Sequence, residues 1–303
     1  MSRNTKAAQR RRRSASARKA GRPHHVSRFL KALTSSAVLA FSFASWVLHP
    51  QWHADLSPHS LLQAWSALRQ APAAPLVPYA GDTVQTNFSE CRHFFPRQQP
   101  PVVPARPALR ELCFDAFAIL HDGRTKTPVL VAQRLTRDML EQARGVERTD
   151  KFYAEARLPR SERAELADYR NSGYSRGHMA PAGDMHTSAA MAQSFSLANM
   201  VPQDQTHNAG AWNRIEQDTR KYVMRASGPV YVMTGPVYGD HPQRIGEGGV
   251  AVPDALFKVV HDANTGRTWV HWQANQAEAH AGQPIRYEDF LRMTGLQLPG
   301  VAG

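Results

Sequence analysis

Apolar and polar positions along this 303-residue chain follow three rhythms. Residues 32–48 form an unbroken stretch without a charge. From Cys113 onward, short apolar runs alternate with turn residues. Residues 113–120, the pair Asp122-Gly123 and residues 128–132 read as strand, turn and partner strand. Runs over residues 230–234, 256–260 and 268–272 predict three more strands. Between residues 208 and 226 the period changes. Trp212, Ile215, Thr219, Tyr222, Val223 and Ala226 recur at helical spacing and predict one amphipathic helix. Shorter helices are predicted over residues 137–143, with Thr136 as N-cap, and over residues 287–293. Residues 145–185 show no clear period. Strands mixed with few helices, without strict alternation, predict an α+β fold with a mostly antiparallel central sheet.

Composition changes this picture mainly at the N-terminus. Apolar content is 42% and charged content 20%, as in soluble globular chains. The net charge of +12 suggests an acidic partner such as a nucleic acid. Its location argues otherwise. Residues 1–31 hold eleven Lys and Arg and no acid, which leaves 26 basic against 25 acidic residues in the rest. A nucleic-acid site in the body must therefore be a local patch. As a helix, residues 32–48 would span about 26 Å, just short of a hydrocarbon core of roughly 30 Å. With the basic flank inside, they read as a signal-anchor or a cleaved signal peptide. A nucleic-acid-binding role for the basic arm is the competing reading.

The domains expected are a basic cytoplasmic tail (1–31), the signal segment (32–48), a flexible tether (49–85) and one folded domain (86–303). The folded domain would be exported, either anchored at the inner membrane on its periplasmic or extracellular side, or secreted. Its only cysteines, Cys91 and Cys113, would then pair as a disulfide or stay as two buried thiols. Five prolines within residues 92–108 predict an irregular strap on the surface.

Two segments carry candidate chemistry. One is Ser175-Arg176-Gly177-His178-Met179-Ala180-Pro181. The other begins Asn199-Met200-Val201-Pro202-Gln203 and continues from Asn208 to Glu216. Arg176 and His178, two apart, share a face of an extended segment, and Gly177 between them lets the backbone bend or approach a ligand. An imidazole with a pKa of ~6.5 suits removal of a proton from water, and an Arg fork suits a phosphate. On the helix, Asn208 projects near the centre of the apolar stripe, with Glu216 on its flank. Asn208 is there either as a hard oxygen ligand for Mg²⁺ or as an N-cap. Glu216 would hold a metal-bound water, or be a solvated charge with Arg220 as its i,i+4 partner.

Taken together, these segments resemble the DNA/RNA non-specific endonuclease family of the ββα-metal (His-Me finger) superfamily. That family's Asp-Arg-Gly-His, Asn-x-x-Pro-Gln and Asn-x-Gly-x-Trp-x-x-x-Glu appear in order at residues 175–178, 199–203 and 208–216. The resemblance extends over about residues 110–300. It implies a ββα-metal active site with a long metal-ligand helix and a Mg²⁺ (or Mn²⁺) cofactor. The substrates it implies are DNA and RNA, cut without sequence preference. It also implies roles: His178 as general base, Asn208 as metal ligand and Glu216 acting through water. Arg176 and Arg148 would act on the phosphate, Asn199 would support the site, and Arg220 would join the same network. Ser175 stands where the family has Asp. That departure keeps open a membrane-tethered nucleic-acid-binding protein without catalysis.

Overall fold

Of the apolar runs of the second half, those at residues 230–234 and 256–260 become strands buried on both sides, and that at 268–272 a half-buried edge strand. The structure, a computed structural model, describes residues 81–301. The basic tail, the signal segment and all but the last residues of the tether lie outside the described residues. Among the described residues, no helix is long and apolar enough to cross a membrane.

In chain order the strands are β1 (Thr83–Gln85), β2 (Val102–Pro104), β3 (Leu109–Cys113), β4 (Ala118–Asp122), β5 (Thr127–Leu135), β6 (Ser175–His178) and β7 (Met200–Gln203). Then come β8 (Val230–Val237), β9 (Arg244–Ile245), β10 (Val250–Ala251), β11 (Ala255–Asp262) and β12 (Thr268–Ala274). The helices are α1 (Arg137–Ala143), α2 (Leu166–Tyr169), α3 (Ser188–Ser194), α4 (Gln205–His207), α5 (Asn213–Val223) and α6 (Tyr287–Thr294). A π turn, Asn208–Trp212, joins α4 to α5.

Six strands form the central sheet in the order β12-β11-β8-β5-β4-β3, every pair antiparallel. All eight positions of β11 are buried, which is why its sequence lacks the alternation of a half-exposed strand. Alternate residues serve two cores. Leu120, Leu130, Met233 and Phe257 face one; Ile119, Val131 and Leu256 face the other.

The predicted strand over residues 113–120 is broken in two. Asp115 interrupts the apolar run, and Phe114 N donates to Phe117 O (3.0 Å), making a turn between β3 and β4. The proline-rich strap also differs from expectation. It covers the first core instead of lying on the surface, with Phe94, Phe95 and Val103 buried there beside Phe88. Its prolines sit where no amide is needed: Pro96 opens a 3-10 turn, and Pro104 ends the short β2 paired with β1. Through this pairing residues 83–85 join the strap. Cys91 and Cys113 form a disulfide, tying the strap to β3 across a separation of 22 residues. Tyr287 and Phe290 of α6 complete this face. The opposite face receives Met179, Ala180, Met191, Phe195, Trp212 and Ile215 from the segments that carry the candidate site.

Candidate active site

β6 and β7 form a hairpin in the register Ser175↔Gln203 and His178↔Met200, and β7 runs directly into the helical stretch α4, π turn and α5. This is a two-strands-and-helix unit. Arg176 and His178 stand on the same side of β6, as the two-residue spacing requires.

Two phenylalanines back this side. Phe152 and Phe195 meet edge-on with centroids 4.9 Å apart. The His178 ring lies 5.1 Å from Phe195 and 5.9 Å from Phe152. The Arg176 guanidinium sits 4.6 Å over Phe152, and that of Arg148 lies 4.9 Å over Phe195. Both cations are held by ring faces and neither is spent on a buried carboxylate. Arg148 also donates to the exposed Asp150 (2.7 Å). The structure thus brings Arg148, Arg176 and His178 together around one aromatic wedge. Burial, then the nearby Arg148 charge, holds the His178 pKa down to about 3, with Asp150 opposing. The imidazole is therefore neutral at working pH. Its Nε2 is enclosed with no hydrogen-bond partner among the described residues.

The loop after His178 is clamped by Asn199, which is fully buried. The Asn199 carboxamide accepts from Ala180 N (2.9 Å) and donates to the carbonyls of Ala180 and Ser194 (2.9 Å each). Asn199 thus holds the backbone that follows His178. Further along the loop, buried Asp184 accepts from Arg220 Nη1 (2.9 Å) and from Gln133 Nε2 (3.5 Å). Arg220 pairs with Asp184, not with Glu216 as the i,i+4 spacing suggested, because the loop supplies a buried carboxylate that needs a cation.

Gly177 has a different use from the flexibility expected of it. A Cβ there would stand 2.6 Å from Gln203 Cβ and 2.1 Å from Gln203 Oε1. The glycine makes room for the Gln203 side chain, whose Nε2 reaches His207 Nδ1 (3.1 Å). His207 Nε2 in turn donates to Gln273 Oε1 (2.9 Å) on β12. Contacts therefore run from the residue before His178 to the residue before Asn208.

The helix starts earlier than the predicted residue 208. Asp204 is the N-cap, its Oδ1 accepting from His207 N (2.8 Å), so Asn208 is not a cap. Along the helix His207, Trp212, Ile215, Thr219 and Val223 are buried. The spacing of five between the first two is the π turn, which puts an extra residue into the repeat. Asn208 is consequently turned off the centre of the stripe and is only half-buried, while His207 takes the buried place. Its carboxamide makes no hydrogen bond among the described residues. Glu216 is partly buried two turns on. Burial pushes its pKa up to about 7, with Lys258 and Arg220 opposing and Asp184 adding to the rise.

No three His, Cys, Asp or Glu side chains gather as a metal cage among the described residues. The oxygens on offer are one free carboxamide and one carboxylate. That set does not suit zinc, but it fits Mg²⁺ or Mn²⁺, hard cations that keep most of their waters. Sequence reasoning singled out Arg148, Arg176, His178, Asn199, Asn208, Glu216 and Arg220 but missed Phe195, Asp184, His207, Gln273 and Lys258. Asp184 follows the first motif closely, and His207 precedes the second. Only three-dimensional register shows what they touch.

Residues 101–291 match the DNA/RNA non-specific endonuclease family. The human mitochondrial nuclease EXOG (Homo sapiens) is 37% identical over 159 residues, 49% of this chain and 43% of that protein. Nuclease C1 of Cunninghamella echinulata is 36% identical over 158 residues, 48% of this chain and 62% of that protein. The chain thus spans about half the length of the relatives it matches. A chain of a solved EndoG/EndoGI complex superimposes with a TM-score of 0.59, covering 73% of this chain and 94% of its own length at 24% identity. It has the same fold.

Proposed function

Because this chain belongs to the DNA/RNA non-specific endonuclease family, we propose that it hydrolyses phosphodiester bonds in both DNA and RNA, with a divalent cation, Mg²⁺ or Mn²⁺, as cofactor. The observation that carries this reading is the tie from Gly177 through Gln203 to His207, which makes the His178 strand and the Asn208 turn one unit.

His178, kept neutral by burial, takes the proton from the attacking water. Arg176 and Arg148, braced on their phenylalanines, bind the phosphate and offset its growing charge. Asn208 would hold the cation, and Glu216 one of its waters. The cation, when bound, supplies Lewis acidity at the phosphate and the departing 3′ oxygen, which leaves 5′-phosphate ends. Asn199 keeps the His178 loop in place. Contacts confined to phosphate and sugar give little sequence preference. Replacement of the family's Asp by Ser175 removes neither base nor metal ligand in this scheme. The disulfide supports an exported domain, since such bonds persist in oxidising compartments. The basic tail would stay cytoplasmic and residues 32–48 would direct or anchor the chain.

The test is plasmid and RNA cleavage with Mg²⁺. EDTA should abolish it, and His178→Ala should lower it about 1000-fold without loss of fold. Parental cleavage by that variant would remove His178 from the mechanism. Binding of DNA with no metal-dependent cleavage by the parent would favour a tethered binding protein.

A further inference from the structure

Lys258 is an unexpected residue for the middle of a sheet. Its side chain is 1% exposed in a strand with no exposed position. A buried cation is costly unless opposite charge stands near it. A methionine of similar length would fill the space without that cost.

Lys258 stands on the face of β11 that looks toward the site helix, in register with Thr234 on β8 and His271 on β12. Its Nζ donates to Thr234 Oγ1 (2.8 Å) and lies 5.3 Å from the ring centroid of Trp212, one helical turn before Glu216. The charged and titratable groups around it are Glu216 and Arg220 on α5, Asp184 from the loop after β6, and His271. Asp184 and Arg220 pair with each other at 2.9 Å. Among the described residues, Glu216 remains as the carboxylate without an ion pair of its own, and Lys258 as the cation without one. Lys258 lies in the buried interior, where charges act at longer range than in water.

We propose that Lys258 is a positioning residue for Glu216, the buried cation that holds this carboxylate under the helix where it can orient the water shell of the divalent ion. The proposal rests on the role given to Glu216 above. It extends that role to a residue of the central sheet beneath the site helix.

The test uses the full chain, with Lys258→Met, Glu216→Gln, the double variant and Lys258→Arg. The readouts are thermal melting in EDTA and Mn²⁺ binding followed by electron paramagnetic resonance. Lys258→Met leaves the Glu216 carboxylate without its cation and should lower the melting temperature by about 10 °C, while the double variant with Glu216→Gln should lose clearly less. Lys258→Met should weaken Mn²⁺ binding roughly tenfold, as Glu216→Gln does, and Lys258→Arg should restore part of it. Additive melting losses, or parental Mn²⁺ binding by Lys258→Met, would overturn the proposal. If Lys258→Met does not fold, the double variant decides. Recovery of folding supports the pairing, and failure to recover overturns it. A parent that takes up no Mn²⁺ would sink the nuclease reading itself, whereas additive melting with normal Mn²⁺ uptake would sink the role of Lys258 alone.

Discussion

The two faces of the central sheet use the same strands for opposite purposes. Under the strap and α6, the contacts are phenylalanine on aliphatic and phenylalanine on phenylalanine, as where Phe257 meets Phe290 at 4.9 Å. Under the site helix, the same strands turn Gln133, Thr234, Lys258, His271 and Gln273 toward Asp184, Glu216 and His207. The first face buries apolar area and gives stability. The second holds polar groups whose positions matter more than the energy they return. Damage to the first should therefore appear as melting alone, and damage to the polar groups of the second as lost turnover as well.

Phe290→Ala should have the largest effect on the dry face. It should lower stability by about 3–5 kcal/mol, with kcat of the folded fraction unchanged. A fall in kcat at full folding would show that the two faces are not separable. Loss of the disulfide, by Cys91→Ser with Cys113→Ser, should cost about 3 kcal/mol in denaturant unfolding and again spare kcat. On the other face, Gly177→Ala should push Gln203 away from His207 and slow cleavage about 100-fold, an effect larger than its change in melting. Cleavage at the parental rate would mean that the Gln203 tie does not position the site.

The smallest effect expected is on the pH dependence of stability, measured in EDTA. Burial, then the Lys258 charge, holds His271 down to about 4, and His178 is held at about 3. Both bind a proton more readily in the unfolded chain, where the pKa is ~6.5. Their contribution to stability is complete above that value and is lost as pH falls through 4 and then 3. Glu216, raised to about 7, behaves oppositely, and its contribution is lost as pH climbs through 7. His271→Gln should make the acid limb shallower, and Glu216→Gln should flatten the fall in stability that runs from pH 4.5 to about 7. Unchanged limbs in both variants would show that these groups do not govern them.

Much of this was legible in the chain. The strands at residues 230–234, 256–260 and 268–272, the helix capped by Thr136 and the two motif segments all lie where local pattern predicts them. The misreadings have physical causes. Residues 113–120 look like one strand because seven apolar neighbours hide the effect of Asp115. The strap looks like surface because prolines dominate it, although its phenylalanines decide where it lies. The π turn has no signature in a pattern of period 3.6, so Asn208 was assigned the buried place that His207 holds. Lys258 reads as solvated because lysine usually is. Only pairing with Thr234 and His271 puts it beneath Trp212.

The crosslink between Cys91 and Cys113 makes the durability of the fold depend on its surroundings. Where thiols are kept reduced, the strap is held only by its buried side chains and backbone pairing, and the first core can open more often to proteases. Where they are oxidised, the same strap is tied down and the chain survives longer. One bond thus sets different working lifetimes in reducing and in oxidising surroundings.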